Sequence, residues 1–330
     1  MNLPSPGALL RIAVALGLTA FILWQSDPRA IGAALAGANW RWIAATLALV
    51  LVDRALMAWR WLLLLRPVAS GAALTLPVVL RIFFVSTFVG TFLPASVGGD
   101  AVRAVSLSRH GVRMADSVAS VLADRIFGTL SILLVAAAAV WFAPADLPGW
   151  LAPSTVGLTA IAAAGVGIGL FHPGAERLAG TALQRLTRGK LLEAGTNLLG
   201  SLRRYAHAPG ALASVLGGSI AVQLLRISQA WLLGLALGIP AGFLAYLVYI
   251  PVILLVMLLP ITINGIGTSQ AAFVWLFAAS GVSAADAFAL SVLFLALGTV
   301  GNLPGGILYA TSGLHGRPAV DAPVEDLRRF

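Results

Sequence analysis

The chain has no cysteine, few charges and no long polar stretch. Without cysteine there are no disulfides and no thiolate chemistry, and the redox compartment stays open. Four histidines, His110, His172, His207 and His315, lie far apart without metal-ligand spacing, so no metal site is expected. No cofactor is expected either. Only 10% of the 330 residues are charged, against about 25% in a soluble globule. Hydrophobic residues make up 59% and the mean hydropathy is +0.96, which excludes a water-soluble fold. The longest polar stretch, roughly residues 172–210, leaves no separate catalytic globule.

What is present is a series of apolar segments, each near the ~20 residues needed to cross about 30 Å of hydrocarbon. They run roughly over 7–24, 40–64, 118–142, 151–171, 211–238 and 284–310, and two more, 74–93 and 243–262, end at interruptions. The expected fold is therefore all-α: a polytopic helical membrane protein with about six full spans and two re-entrant helical hairpins. One domain would cover 1–316, with a cytoplasmic tail over 317–330. Segment 7–24 could be a cleaved signal peptide, with Ala36-Gly37-Ala38 as a small-residue site. Its poor basic flank and the distance to Ala38 favour retention as the first span.

The interruptions are one pattern stated twice. Leu93-Pro94-Ala95-Ser96-Val97-Gly98-Gly99-Asp100 breaks the first segment, and Leu259-Pro260-Ile261-Thr262-Ile263-Asn264-Gly265-Ile266-Gly267 breaks the second. A short helical stretch follows each, ending at Gly111-Val112-Arg113-Met114-Ala115-Asp116 and at Gly281-Val282-Ser283-Ala284-Ala285-Asp286. Paired Pro/Gly breaks at corresponding positions of two halves mark transporter-like binding sites. The repeats lie around 74–142 and 243–310.

Loop charge orients the chain. The formal net charge is +9, but the arginines lie mainly between spans and no nucleic-acid-binding motif accompanies them, so nucleic acid is not the expected partner. Loop 172–210 carries Arg177, Arg185, Arg188, Lys190, Arg203 and Arg204, whereas the loops around Asp146 and between Gly238 and Phe243 carry no Lys or Arg. The first is then cytoplasmic and the others external. Arg60, Arg66, Arg103, Arg109, Arg113, Arg317, Arg328 and Arg329 belong inside by the same rule, with Arg29 and Arg41 as the exception. Both termini are expected in the cytoplasm, with the chain in the cell membrane. Segments 74–117 and 243–283 must each enter and leave on one side, from opposite faces, which makes the copies inverted repeats.

Non-helical backbone at membrane depth must be internal. A helix restarting near Asp100 and another at Thr268 or Ser269 would point two N-termini inward, a setting for an anion such as a lipid phosphate. The blander alternative is an ordinary kink, with Asp100 as a helix cap. Asp100 would also compete with an anion, and Arg103 on the same face could neutralise it. Arginine inside a span is costly. Arg226 sits near the midpoint of its span and shares a face with Ser219 and Gln223; its nearest obvious acidic partner in the second repeat is Asp286. Arg125 beside Asp124, Arg54 beside Asp53, and Arg81 also lie in apolar segments, where adjacent Asp and Arg can neutralise each other. Segment 172–210 alternates Leu178, Leu183 and Leu191 with basic residues, as an amphipathic helix at an anionic membrane surface does.

Phe92-Leu93-Pro94, Gly98-Gly99-Asp100, Arg103, Asp124-Arg125 with Gly128, and Asn264-Gly265-Ile266-Gly267 followed by Gly281-Val282 resemble the lysylphosphatidylglycerol synthase transmembrane region family. The resemblance covers roughly residues 10–312 and implies a flippase-like domain that moves or handles lipids between leaflets. Aminoacylated phosphatidylglycerol is the best-known cargo, and stand-alone members are associated with isoprenoid, hopanoid or glycolipid pathways. The cytosolic transferase domain of the two-domain members is not expected here, so neither is enzyme activity. The expected headgroup or anion site comprises Gly98, Gly99, Arg103, Arg125, Gln223, Arg226, Asn264, Gly265 and Gly267, with Asp100, Asp124 and Asp286 as ion-coupling or pairing residues. Rival readings are an integral membrane enzyme, a non-transporting partner of a lipid synthase or glycosyltransferase, and a small-solute secondary transporter.

Overall fold

The computed structural model describes residues 28–69, 74–92, 97–142, 148–187, 189–259, 262 and 265–313, and among these there is helix and turn but no strand. The helices, in chain order, are α1 (Pro28–Ala36), α2 (Trp40–Leu65), α3 (Leu76–Phe92), α4 (Val97–Ser108) and α5 (Met114–Ala139), which a 3-10 turn extends over Val140–Phe142. Then follow α6 (Leu151–Phe171), α7 (Pro173–Leu186), α8 (Lys190–Arg203), a 3-10 turn over Arg204–His207, and α9 (Pro209–Ala236). The series closes with α10 (Phe243–Leu258), α11 (Thr268–Ala278), α12 (Ala284–Val300) and α13 (Leu303–Gly313). Among the described residues five stretches are long and apolar enough to cross a membrane: Trp40–Leu65, Met114–Phe142, Leu151–Phe171, Pro209–Ala236 and Ala284–Ala310. Leu76–Thr91 and Phe243–Leu258 are apolar but shorter. This is a polytopic helical membrane protein. The expected span 7–24 and the tail 317–330 lie outside the described residues.

Local chemistry sets the helix ends. Asn39 caps α2 by accepting from Arg41 N at 3.0 Å, and Ser283 caps α12 by accepting from Asp286 N at 3.1 Å. Gly111 and Gly281, at φ +86° and +70°, turn the chain out of α4 and α11 in the left-handed conformation that favours glycine. The next residue in each copy, Val112 or Val282, is buried. Each unit therefore reads long helix, shorter apolar helix, break, short helix, glycine turn, long helix.

The two units, α2–α5 and α9–α12, also pack alike. Within the first, α2 meets α3 and α5, and α4 meets α3 and α5; within the second, α9 meets α10 and α12, and α11 meets α10 and α12. The units join through α2 against α9, which run antiparallel. Asn39 N at the start of α2 donates to Ala236 O at the end of α9 (2.8 Å), and Tyr205 Oη ahead of α9 donates to Leu64 O (2.9 Å). The short helices cross over too, since α1 packs on α12 and α8 on α5. At the start of α5 the buried carboxylate of Asp116 accepts from Ser201 Oγ (2.6 Å), Arg113 Nε (2.9 Å) and Arg204 Nη2, which ties the amphipathic segment to the bundle. Leu178 and Leu191 of that segment are exposed.

Two apolar clusters result. One holds Trp61, Leu64, Phe83, Leu107, Phe127 and Tyr205; the other holds Ile227, Tyr246, Tyr249, Phe273, Phe277 and Leu290. Both draw on α5 and α9, one from the earlier and the other from the later part of each helix.

Candidate functional site

A cavity of about 440 Å³ opens among α2, α3, α4, α5, α9, α10 and α12, and eight charged side chains line it. They fall into three groups. In the first, Asp124 of α5 accepts from Arg60 Nη2 of α2 (2.6 Å) and Arg103 Nη1 of α4 (3.0 Å), all three being buried. Arg60 Nη1 donates onward to Ser219 of α9 (2.8 Å). The Arg103 guanidinium lies 4.2 Å from the Trp61 ring centroid and 5.1 Å from that of Phe83, a cation–π arrangement favoured where water is excluded. Burying a carboxylate is costly, and two guanidiniums at hydrogen-bond distance offset that cost. Arg103 Nε and Nη2 and Arg60 Nε have no hydrogen-bond acceptor among the described residues.

The second group joins the units. Asp53 and Arg54, neighbours on α2, pair at 2.8 Å, and Arg54 Nε and Nη2 donate to Asn302 Oδ1 (3.0 Å) and Gly298 O (3.1 Å) where α12 gives way to α13. Arg226 of α9 is held more loosely, with Nε 3.7 Å from Asp53 Oδ1 and Nη2 3.5 Å from the Met57 sulfur. Its side chain is 21% exposed into the cavity. Gln223, one turn earlier, lines the cavity and donates to Ser131 Oγ at 3.0 Å. The third group stands where the cavity is most exposed: Asp100 accepts from Arg125 Nε at 2.7 Å, and the Arg125 side chain is 48% exposed.

The structure gathers Gly99, Asp100, Arg103, Asp124, Arg125, Gln223 and Arg226 around one cavity and leaves out the rest of the expected set. Gly98 does not line it, and Asn264 lies outside the described residues. Helix α4 starts at Val97, so Asp100 sits inside its first turn instead of capping it, and Arg125, more closely than Arg103, neutralises it. Gly99 of the first break and Gly90 of α3 serve close packing: a Cβ on Gly99 would stand 3.0 Å from Ser86 O of α3, and one on Gly90 3.0 Å from Gly99 Cα.

The described residues of the second break do not line the cavity. Gly265 and Gly267 do not line the cavity; Gly265 packs behind Met257, which does. At the start of α11, Gln270 Oε1 accepts from Gly267 N (2.6 Å) and Ser269 Oγ (3.0 Å), so local side chains already use that end. Asp286 is likewise elsewhere, accepting from Ser283 Oγ (2.7 Å) at the exposed start of α12, and the acidic neighbour of Arg226 is Asp53. Of the two adjacent Asp-Arg pairs, only Asp53–Arg54 closes on itself. Arg60, which the charge rule assigns to the cytoplasmic side, is buried in α2 and belongs to the cavity lining. Its signal was spacing: Asp53, Met57 and Arg60 recur on one helical face, a polar stripe facing the Ser219–Gln223–Arg226 stripe of α9. Among the described residues no group of three His, Asp or Glu could hold a metal.

The lysylphosphatidylglycerol synthase TM region family matches residues 8–305, most of the chain. The chain belongs to this family. A comparison with curated proteins gave no match. Membership connects the protein with phospholipid handling in a membrane and agrees with the helical architecture.

Proposed function

We propose that the protein is a flippase-like lipid transporter whose cavity takes a lipid headgroup phosphate while the acyl chains stay in the bilayer. In this reading α2–α5 and α9–α12 are inverted repeats, and the α3–α4 and α10–α11 pairs are re-entrant hairpins from opposite faces. The antiparallel α2 and α9 support the inversion. The lengths of α3 and α10, 17 and 16 residues, support re-entrance, because such helices rise only about 25 Å against roughly 30 Å of hydrocarbon. Loop charge supports a topology with both termini in the cytoplasm, and in this reading the membrane is the cell membrane.

The observation that carries the reading is Arg226, an arginine well inside a membrane span, facing an open cavity without a carboxylate at hydrogen-bond distance. Such a group is costly unless an anion visits it. The protein itself performs no chemical step in this account; a lipid synthase or glycosyltransferase would supply or consume the cargo. The test is reconstitution into vesicles containing an anionic, headgroup-exposed reporter phospholipid in one leaflet. Transfer well above that of protein-free vesicles is expected, and transfer no faster than theirs would overturn the reading.

A further inference from the structure

The charge balance of the cavity limits the charge of its occupant. Among the described residues five arginines and three aspartates line it. The nearest arginine to each aspartate is a different one: Asp53 has Arg54 at 2.8 Å, Asp100 has Arg125 at 2.7 Å and Asp124 has Arg60 at 2.6 Å. Arg103 and Arg226 are the surplus, and both have donor capacity to spare. Arg103 shares Asp124 through Nη1 while its buried Nε and Nη2 lack acceptors, and Arg226 stands 3.7 Å from an already paired Asp53. Nearby, Gln229 Nε2 is a further buried donor without an acceptor among the described residues.

We infer that the cavity selects a phosphate monoester dianion, in preference to a phosphodiester or an aminoacylated headgroup. This rests on the lipid-transport reading for the ligand's source but not for its charge. A surplus of two guanidiniums is best offset by two negative charges that accept charge-assisted hydrogen bonds. A phosphodiester brings one charge. An aminoacylated phosphatidylglycerol adds ammonium groups and meets surplus arginine with more positive charge. A monoester loses its second proton near pH 6, and among the described residues no histidine lines the cavity.

The test measures binding to the full-length protein in a neutral detergent. The probes are phosphatidic acid, phosphatidylglycerol and lysylphosphatidylglycerol of identical acyl chains, with inorganic phosphate as a headgroup without a lipid. Phosphatidic acid should bind at least about tenfold more tightly than either other lipid at about pH 8, and the margin should shrink at about pH 5 as the monoester takes up a proton. Arg226→Gln should narrow the margin at the higher pH, whereas Asp53→Asn, by adding to the surplus, should widen it. Equal or tighter binding of the diester or the aminoacylated lipid would overturn the charge assignment even if leaflet transfer is observed. Inorganic phosphate binding as tightly as phosphatidic acid, with the same pH profile, would uphold the charge assignment and count against a lipid cargo.

Discussion

In α4 and the first half of α5, Asp100, Arg103, Asp124 and Arg125 all turn to the cavity; in α11 and α12 the sole charged residue is Asp286, and it pairs with Ser283, the cap of its own helix. The backbone of the two units is nevertheless the same, down to the positive-φ glycine and the buried valine after it. In place of charge the second unit has an aromatic cluster, with Tyr246 and Tyr249 edge-on to Phe277 at 5.0 and 5.1 Å and Phe273 stacked on it at 5.8 Å. The comparison teaches that a similar order of helices and the placing of charge are separable. One unit holds the ions, the other is an apolar wall, and α9 sends Arg226 across to the charged side.

The sharpest way to break this contrast is to remove the carboxylate that two buried arginines share. Asp124→Ala strands Arg60 and Arg103 in a site with few other acceptors, and should cost about 3–5 kcal/mol, because the loss of one partner leaves buried charge uncompensated. Thermal unfolding in detergent reads it; a midpoint close to wild type would show that the ions are not the support of the first unit. Next in size is Gly99→Val, whose side chain meets Ser86 O and Gly90 and should cost about 1–3 kcal/mol by forcing α3 and α4 apart. A neutral result would remove close packing as the reason for glycine at the first break. The smallest effect belongs to Asp286→Asn, which weakens a capping arrangement at an exposed helix start by about 0.5–1 kcal/mol. It should leave transport unchanged. A large loss of transport on Asp286→Asn would restore the second unit to the site.

The parts of this arrangement written in neighbouring residues were legible beforehand. Spans, the doubled glycine turn and the Ser219–Gln223–Arg226 stripe depend on composition and helical period, which act locally. Ion pairing was not legible, because the partners are distant: Arg60 meets Asp124 across 64 residues and Arg103 meets it across 21. Adjacent residues on a helix point about 100° apart, so Asp124 turns to Arg60 while Arg125 turns to Asp100. Asp53 and Arg54 still reach each other because the arginine chain is long enough to bend back. The two breaks are alike in sequence but differ in what their described residues meet. Pro and Gly mark where a helix stops, but whether its restart faces a cavity depends on neighbours such as Met257 and Gln270, whose packing the motif does not encode.

The central claim is that the arginine-lined cavity is where the headgroup passes, and Arg226 is the side chain whose removal separates passage from folding. Arg226 has no carboxylate at hydrogen-bond distance, so Arg226→Gln should change stability by less than about 1 kcal/mol. The deciding measurement is the leaflet-transfer rate of an anionic phospholipid in vesicles carrying wild type, Arg226→Gln or Asp286→Asn at equal protein content. The account predicts that Arg226→Gln falls to the rate of protein-free vesicles with its unfolding midpoint preserved, while Asp286→Asn matches wild type. Wild-type transfer by folded Arg226→Gln would contradict it.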